Sequence, residues 1–213
     1  MKSKNPFLLT AAVVLLLSAI VTPARGQVGK GLIDPNVASE QQLAGLPHLT
    51  AAIIKGLLDK RPFMSIVELN AFLLAQGLTQ AQADELYGKA FIHVNLNTGA
   101  REEILLIPGA GARMAREFAE YRPWKTWPQF DKEISKYVKQ PETDRLKQYV
   151  FIPVKLNTGT DEDILSIPGA GQRMVREFKE YRPWKTKEQF EKEIGKYVNA
   201  KEVARLWRYV VID

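Results

Sequence analysis

The hydrophobic positions of the chain recur with helical spacing, in short segments that proline and glycine interrupt. Met114, Phe118 and Tyr121 fall on one face of a predicted helix, which we expect to end before Pro123. Neighbouring segments carry the same spacing: Ile104 with Ile107, Phe130 with Ile134 and Tyr137, and Leu146 with Tyr149. Since no long alternating strand pattern occurs in the sequence, it predicts an all-α fold.

Capping signals mark the starts of several of these helices. Ser39 with Gln42 and Thr160 with Asp163 have the spacing of a capping box before the first helix of a segment. The same spacing precedes the third helix at three places: Ser65 with Glu68, Thr126 with Gln129, and Thr186 with Gln189. Each stretch therefore reads as short helices divided by turns.

The same four-helix pattern occurs three times. The segment that begins at Leu96 matches the one at Leu156 at an offset of about 60 residues, with roughly two-thirds of positions identical. A weaker copy begins at Asp34, and its Asn36 corresponds to Asn97. We therefore predict three units in tandem, the first degenerate, at residues 27–94, 95–154 and 155–213.

The N-terminal segment has the character of a secretory signal. A basic head at residues 1–4 precedes an apolar run at residues 7–21, and small residues follow at 24–26. The run is about 15 residues long, short of the roughly 20 that span a bilayer. We predict a signal peptide at residues 1–26 and an exported protein, most simply periplasmic, with an uncleaved N-terminal membrane anchor as the alternative.

Charge and composition narrow the classes of function. The formal net charge of +6 falls by about half when Lys2, Lys4 and Arg25 leave with the signal. Residues 95–154 and 155–213 each retain about +2, which permits nucleic-acid binding without requiring it. The sequence has no cysteine and only two histidines. We therefore expect no catalytic site, metal, cofactor or small-molecule substrate.

An Ile-Pro-Gly-Ala-Gly sequence occurs unchanged in both strong copies, at residues 107–111 and 167–171. It is neither a dinucleotide fingerprint nor a phosphate loop, since Met114 stands where the former needs glycine and no Gly-Lys-Ser/Thr follows. Two interpretations remain open. The glycines either form a tight turn between packed helices, or leave the amides at a helix N-terminus free to bind phosphate.

With its flanking Leu-Asn-Thr and Arg residues, this turn resembles the helix-hairpin-helix motif, and in particular the secreted ComEA-like DNA receptors of natural competence. The resemblance is strong over residues 96–123 and 156–183 and weaker over 34–63. It implies a tandem array of three helix-hairpin-helix units that bind the backbone of double-stranded DNA without reading its sequence. The phosphate-binding residues so implied are Gly109, Ala110, Gly111, Arg113, Arg116, Gly169, Ala170, Gly171, Arg173 and Arg176.

The sequence departs from this motif in the first unit. His48 and Thr50 stand where the two glycines would be, and His48 is expected to adopt a turn conformation that glycine normally holds. The second turn of the later units also lacks glycine, at residues 139–142 and 199–202. We therefore expect few phosphate contacts and weak, salt-sensitive binding.

Helical spacing also offers the arginines a purely structural role. Arg113 with Glu117 and Arg116 with Glu120 are predicted ion pairs four residues apart, and Arg173 with Glu177 and Arg176 with Glu180 repeat them. Trp124 and Trp184 are predicted to be core residues, whereas Trp127 and Trp207 are predicted to be exposed. His93 lies in the predicted link between units and receives no role. The alternative function is an envelope protein-interaction or scaffold module with a protein partner.

Overall fold

The molecule is helical, as its sequence predicts. The structure, a computed structural model, describes residues 31–213, and the predicted signal peptide lies outside these residues. Twelve helices and four strands of two residues each occur in the described part of the chain, which confirms the all-α class. Between residues 31 and 213, no helix is long and apolar enough to cross a membrane.

The helices fall into three groups of four along the chain. The first helix group consists of α1 (Glu40–Ala44), α2 (Ala51–Lys60), α3 (Ile66–Ala75) and α4 (Gln80–Tyr87). The second helix group consists of α5 (Arg101–Leu105), α6 (Ala112–Glu120), α7 (Trp127–Ile134) and α8 (Gln140–Lys147). The third helix group consists of α9 (Asp161–Ser166), α10 (Gln172–Glu180), α11 (Lys187–Ile194) and α12 (Ala200–Trp207).

Capping interactions fix the helix starts, with one difference from the predicted pattern. Ser39 and Thr160 form complete capping boxes before α1 and α9. Before α3, α7 and α11, the cap hydroxyl also accepts the predicted backbone N–H. The return bond, however, goes to the residue before the cap: Gln129 Oε1 accepts from the backbone N–H of Lys125 at 2.9 Å. The glutamine therefore also orders the turn that precedes the helix.

Short parallel strand pairs, which the sequence pattern does not predict, join the segment before a helix group to the segment after it. In the second group, β1 (Val94–Asn95) pairs with β2 (Val150–Phe151). In the third group, β3 (Val154–Lys155) pairs with β4 (Val210–Val211). An isolated parallel bridge between Ile33 and Ala90 takes the same place around the first group. Two residues are too few to give a recognisable alternation, which is why the pattern missed them.

A buried aromatic residue and an asparagine hold each group together. Trp124 and Trp184 are buried, as predicted, and the indole Nε1 of Trp124 donates to the Phe118 carbonyl at 2.8 Å. The Asn97 side chain accepts from the Trp124 N–H at 2.6 Å and donates to its carbonyl at 2.9 Å. Asn36 and Asn157 make the same two bonds in their groups.

The two remaining tryptophans pack against equivalent phenylalanines but come from different helices. Trp127 is 38% exposed, as predicted, and its ring centroid lies 5.8 Å from that of Phe130. The prediction for Trp207 is wrong, because it is only partly exposed and packs 5.1 Å from Phe190. Phe130 and Phe190 are equivalent in the two copies, so each group sets one tryptophan against this phenylalanine, from α7 in one and α12 in the other.

Polar contacts join the first and third helix groups across the molecule. Tyr209 donates its hydroxyl to Asp34 Oδ2 at 3.1 Å, and Arg208 donates to the carbonyl of His93 at 2.9 Å. His93 is fully buried, with its Nδ1 3.8 Å from Asp34 Oδ2. His93 lies between the first and second helix groups, as expected, but it is buried among residues distant in sequence.

Candidate nucleic-acid interface

The three turns between the first and second helix of each group share one backbone conformation at their tips. We name them the His48 turn (residues 46–50), the Gly109 turn (residues 107–111) and the Gly169 turn (residues 167–171). The tip residue has φ of 63° at His48, 77° at Gly109 and 78° at Gly169. His48 thus adopts the left-handed conformation expected of it, which glycine accepts with the least strain.

The Gly109 turn leaves backbone donors open at the start of α6. Gly111 is the N-cap residue and has no side chain to satisfy them. The N–H groups of Gly111, Ala112 and Arg113 have no hydrogen-bond acceptor among residues 31–213. Gly111 is exposed, and a Cβ built on it would meet nothing within 4 Å in the described structure. An anion can therefore approach these amides at the positive end of the helix.

The Gly169 turn repeats this arrangement and the His48 turn does not. Gly171 is an exposed N-cap residue with no capping side chain, as Gly111 is. In the first group, the hydroxyl of Thr50 instead accepts from the Ile53 N–H and occupies the end of α2. The N–H groups of Thr50, Ala51 and Ala52 also have no acceptor within residues 31–213, so the two glycine turns differ from the His48 turn in having an N-cap residue without a side chain.

The predicted arginine pairs are wrong in their partners. Arg116 pairs with its chain neighbour Glu117 at 2.9 Å rather than with Glu120, and Arg176 pairs in the same way with Glu177 at 3.3 Å. Arg113 forms no ion pair within the described part of the chain, and its guanidinium lies 4.8 Å from the ring centroid of Tyr137.

Arg173 repeats the position of Arg113, 4.9 Å from the ring of Tyr197. Among the described residues it too lacks an ion pair. The pairs were mispredicted for a geometric reason: a tyrosine just beyond the end of the following helix reaches the arginine, and helical spacing cannot show this. An exposed arginine without an ion-pair partner in the described chain therefore lies beside the open amides of each turn, and an aromatic ring holds it in position.

A tyrosine pair and a glutamate support each of these arginines. The hydroxyls of Tyr121 and Tyr137 lie 2.8 Å apart, and both rings are half-buried. A hydrogen bond from Tyr137 and the charges of Arg116 and Arg113 hold the pKa of the buried Glu117 below its ordinary value. Glu117 therefore stays charged at neutral pH and helps to orient the cations around it.

Sequence reasoning also missed a charged residue beside each turn, on the last helix of the group. Arg145 Nη2 lies 3.0 Å from where a Cβ on Gly109 would be, and Glu142 binds the guanidinium through two bonds of 2.7 Å. Arg205 takes the same place beside Gly169. In the first group His48 Nε2 contacts Glu85 Oε2 at 2.7 Å instead. The identical Glu-x-x-Arg spacing in α8 and α12 was the signal that could have revealed these residues.

The predicted site residues therefore meet at two places, one per glycine turn. Ala110 is buried beneath the Gly109 turn, whereas Ala170 is half-buried. Across residues 31–213 no cluster of three or more acidic or histidine side chains could hold a metal ion. Comparison with protein-family models, curated proteins and solved structures gives no match to this chain.

A cleft of about 1130 Å³ lies between the second and third helix groups. Apolar and basic side chains line it, and the exposed Trp127 stands at its wall beside Lys125. Lys155 and Val211 contribute from the third group. Such a surface suits a protein partner better than a phosphate, since its largest contribution is apolar.

Proposed function

We propose that this protein is an exported, non-enzymatic protein that binds double-stranded DNA without sequence specificity, through backbone phosphates held at the Gly109 and Gly169 turns. In this proposal each helix group is a helix-hairpin-helix unit, and the first unit does not bind DNA. Residues 1–26 act as the signal peptide, and the periplasm is the compartment. DNA uptake or handling outside the cytoplasm is the process that the family resemblance suggests.

The observation that carries the proposal is the contrast between Gly111 and Thr50. The three turns share a tip conformation, yet Thr50 places a side chain over the helix end and its hydroxyl accepts from the Ile53 N–H, whereas Gly111 has no side chain and leaves the helix end unobstructed. If Gly111 served the turn alone, a capping hydroxyl in its place would stabilise α6 by roughly a few tenths of a kcal/mol, since glycine is itself an acceptable N-cap residue. An external anion gives the open end a function.

The arginines supply the charge that phosphate binding requires. Arg113 and Arg173 are exposed and stand on the first turn of α6 and α10, beside the open amides. Contacts of this kind go to the DNA backbone and carry no base information, so the binding is independent of sequence. With two such turns, we expect log K to fall with log salt at a slope of about −2 to −4.

The first experiment is fluorescence anisotropy of a labelled duplex, titrated with the chain from Gln27 onward across a salt series. The double variant Arg113→Glu with Arg173→Glu is expected to lose at least about tenfold in affinity, because both anion sites acquire a repulsive charge. Lys125→Glu with Lys185→Glu is the matched control, with the same change in net charge beyond the opposite ends of α6 and α10.

Each outcome of that titration decides the proposal. An intact fold must first be verified for every variant by circular dichroism. Strong loss in the arginine variant together with a much smaller loss in the lysine control supports phosphate binding at the turns. Wild-type protein that fails to bind duplex at low salt overturns the proposal, as do equal losses in the two double variants.

A second candidate function, a protein-interaction module of the cell envelope, draws on the cleft between the second and third groups. Trp127 is exposed there, and an exposed aromatic at a cleft is typical of interaction surfaces. A Trp127→Ala variant that binds duplex normally but loses a stable envelope partner would favour this function.

A further inference from the structure

The Gly109 and Gly169 turns are identical in sequence but differ in what surrounds them. The side chain of Arg145 is 31% exposed beside Gly109, whereas that of Arg205 is 1% exposed beside Gly169. Since the two turns share the same five residues, their intrinsic ability to bind phosphate is the same. Any difference in function must therefore come from their neighbours.

The neighbour at the Gly169 turn is the first helix group. Val37 Cγ1 lies 2.8 Å from the position that a Cβ on Gly169 would take, so the valine touches the tip of the turn. Pro168 is buried, whereas its equivalent Pro108 is only half-buried. At Gly109, the groups nearest the same position belong to Arg145 and Glu142, both from the same helix group.

A buried polar cluster holds the first group in this position. Asp34 lies three residues before Val37 and accepts the Tyr209 hydroxyl at 3.1 Å. Burial opposes the charge of Asp34, but the His93 imidazole, the Asn36 N–H and Arg205 outweigh it and lower the pKa of this carboxyl. A buried charge that loses one of these partners is left uncompensated, which is strongly destabilising, so the cluster favours this arrangement of the groups.

Arg205, beside the same turn, is also removed from solvent. Arg205 donates to both carboxylate oxygens of Glu202, at 2.7 and 2.6 Å, and its Nη1 has no hydrogen-bond partner within residues 31–213. An arginine buried in this way cannot reach a phosphate outside the molecule. Its counterpart Arg145 remains partly accessible at the rim of the Gly109 turn.

We propose that the first helix group closes the Gly169 turn by docking through Asp34, Val37 and Tyr209, so that the Gly109 turn is the principal DNA contact. This inference rests on the proposed function. A duplex is much broader than the phosphate that enters the turn, and the group that touches Gly169 obstructs its approach even though Gly169, Gly171 and Arg173 are themselves exposed. Release of the first group then adds the second contact and strengthens binding.

The test compares the single variants Arg113→Glu and Arg173→Glu in duplex titrations across salt. Arg113→Glu is expected to lose at least about five times more affinity than Arg173→Glu, and to reduce the salt slope by about 1. This comparison can be made while the first helix group stays docked, because both arginines are exposed and make no ion pair in the described chain. Equal losses, or the larger loss in Arg173→Glu, overturn the inference.

A second comparison tests the docking itself. Asp34→Asn with Tyr209→Phe removes the charge and the hydroxyl that join the groups, and Tyr149→Phe is the equivalent change in the second group. We expect the docking variant to bind duplex several-fold more tightly, and adding Arg173→Glu to it to cost as much as Arg113→Glu costs. Neither effect is expected in Tyr149→Phe.

The outcomes separate this inference from the function on which it rests. If the docking variant leaves the effect of Arg173→Glu unchanged while circular dichroism shows a native fold, the closure is wrong. If the docking variant unfolds, the comparison of the two single arginine variants still decides whether the turns differ. Wild-type protein that does not bind duplex overturns the proposed function and this inference together.

Discussion

At the scale of single residues, two positions of each turn matter. The tip residue sets the backbone conformation, and the N-cap residue decides whether a side chain covers the start of the following helix. Gly109 and Gly169 hold a left-handed backbone conformation, and His48 holds it with a side chain. The histidine shows that the turn tolerates another residue, so the conformation alone does not demand glycine twice. The glycine that we propose for anion binding is the next one, Gly111, because it leaves the N-cap without a side chain.

Substitution at the tip has a predictable cost. Gly109→Ala is expected to lower the free energy of unfolding by about 1 to 2 kcal/mol, because its φ of 77° is unfavourable for alanine. Gly109→Asn is the matched control and is expected to lose less, since asparagine tolerates this conformation. Gly169→Ala is expected to lose more than Gly109→Ala, because its Cβ would also meet Val37. Urea unfolding measures all three, and an equal effect of alanine and asparagine would contradict this explanation.

At the scale of helices, the first turn of α6 is supported by a residue of α6 itself and by one that follows α7. Glu117 lies one turn beyond Arg113, and Tyr137 follows the end of α7 and packs on that arginine. The repeat of this set in α10 indicates that the two helices present their first turn in the same way.

Protonation of Glu117 provides a pH test of this arrangement. Its lowered pKa means that its stabilising contribution is complete above the pKa of an unfolded glutamate, about 4.3, and is lost as the pH falls through the folded value. The difference in unfolding free energy between the wild type and Glu117→Gln is therefore expected to shrink between about pH 5 and pH 3. Glu120→Gln, an exposed glutamate of the same helix, is the control. A difference that stays constant with pH would show that Glu117 is not held charged by its neighbours.

The helices were largely predictable from sequence, and their lateral contacts were not. Apolar spacing around Met114 and Phe118 and the cap at Thr126 are local signals, and the structure bears them out. The prediction of an Arg113–Glu117 pair was wrong because Tyr137, which is distant in sequence, packs against the same guanidinium. The two-residue strands gave no pattern long enough to recognise.

At the scale of the whole molecule, the helix groups depend on contacts between distant segments. Asp34 and Tyr209 are 175 residues apart, and Arg208 bonds a carbonyl 115 residues earlier. No periodicity encodes such pairs, so the burial of His93 and Arg205 could not be foreseen. The repeat did predict that Gly109 and Gly169 occupy equivalent turns, but only the arrangement of the groups shows that Val37 touches one of them.

We propose that the open amides at the start of α6 hold a DNA phosphate. The decisive measurement is backbone amide NMR of the chain from Gln27, titrated with a short duplex at low salt. We predict that the amides of Gly111, Ala112 and Arg113 shift first and farthest, while that of Ile53, already bonded to Thr50, does not move. Shifts centred on the cleft at Trp127, or no shift at Gly111, would contradict the claim.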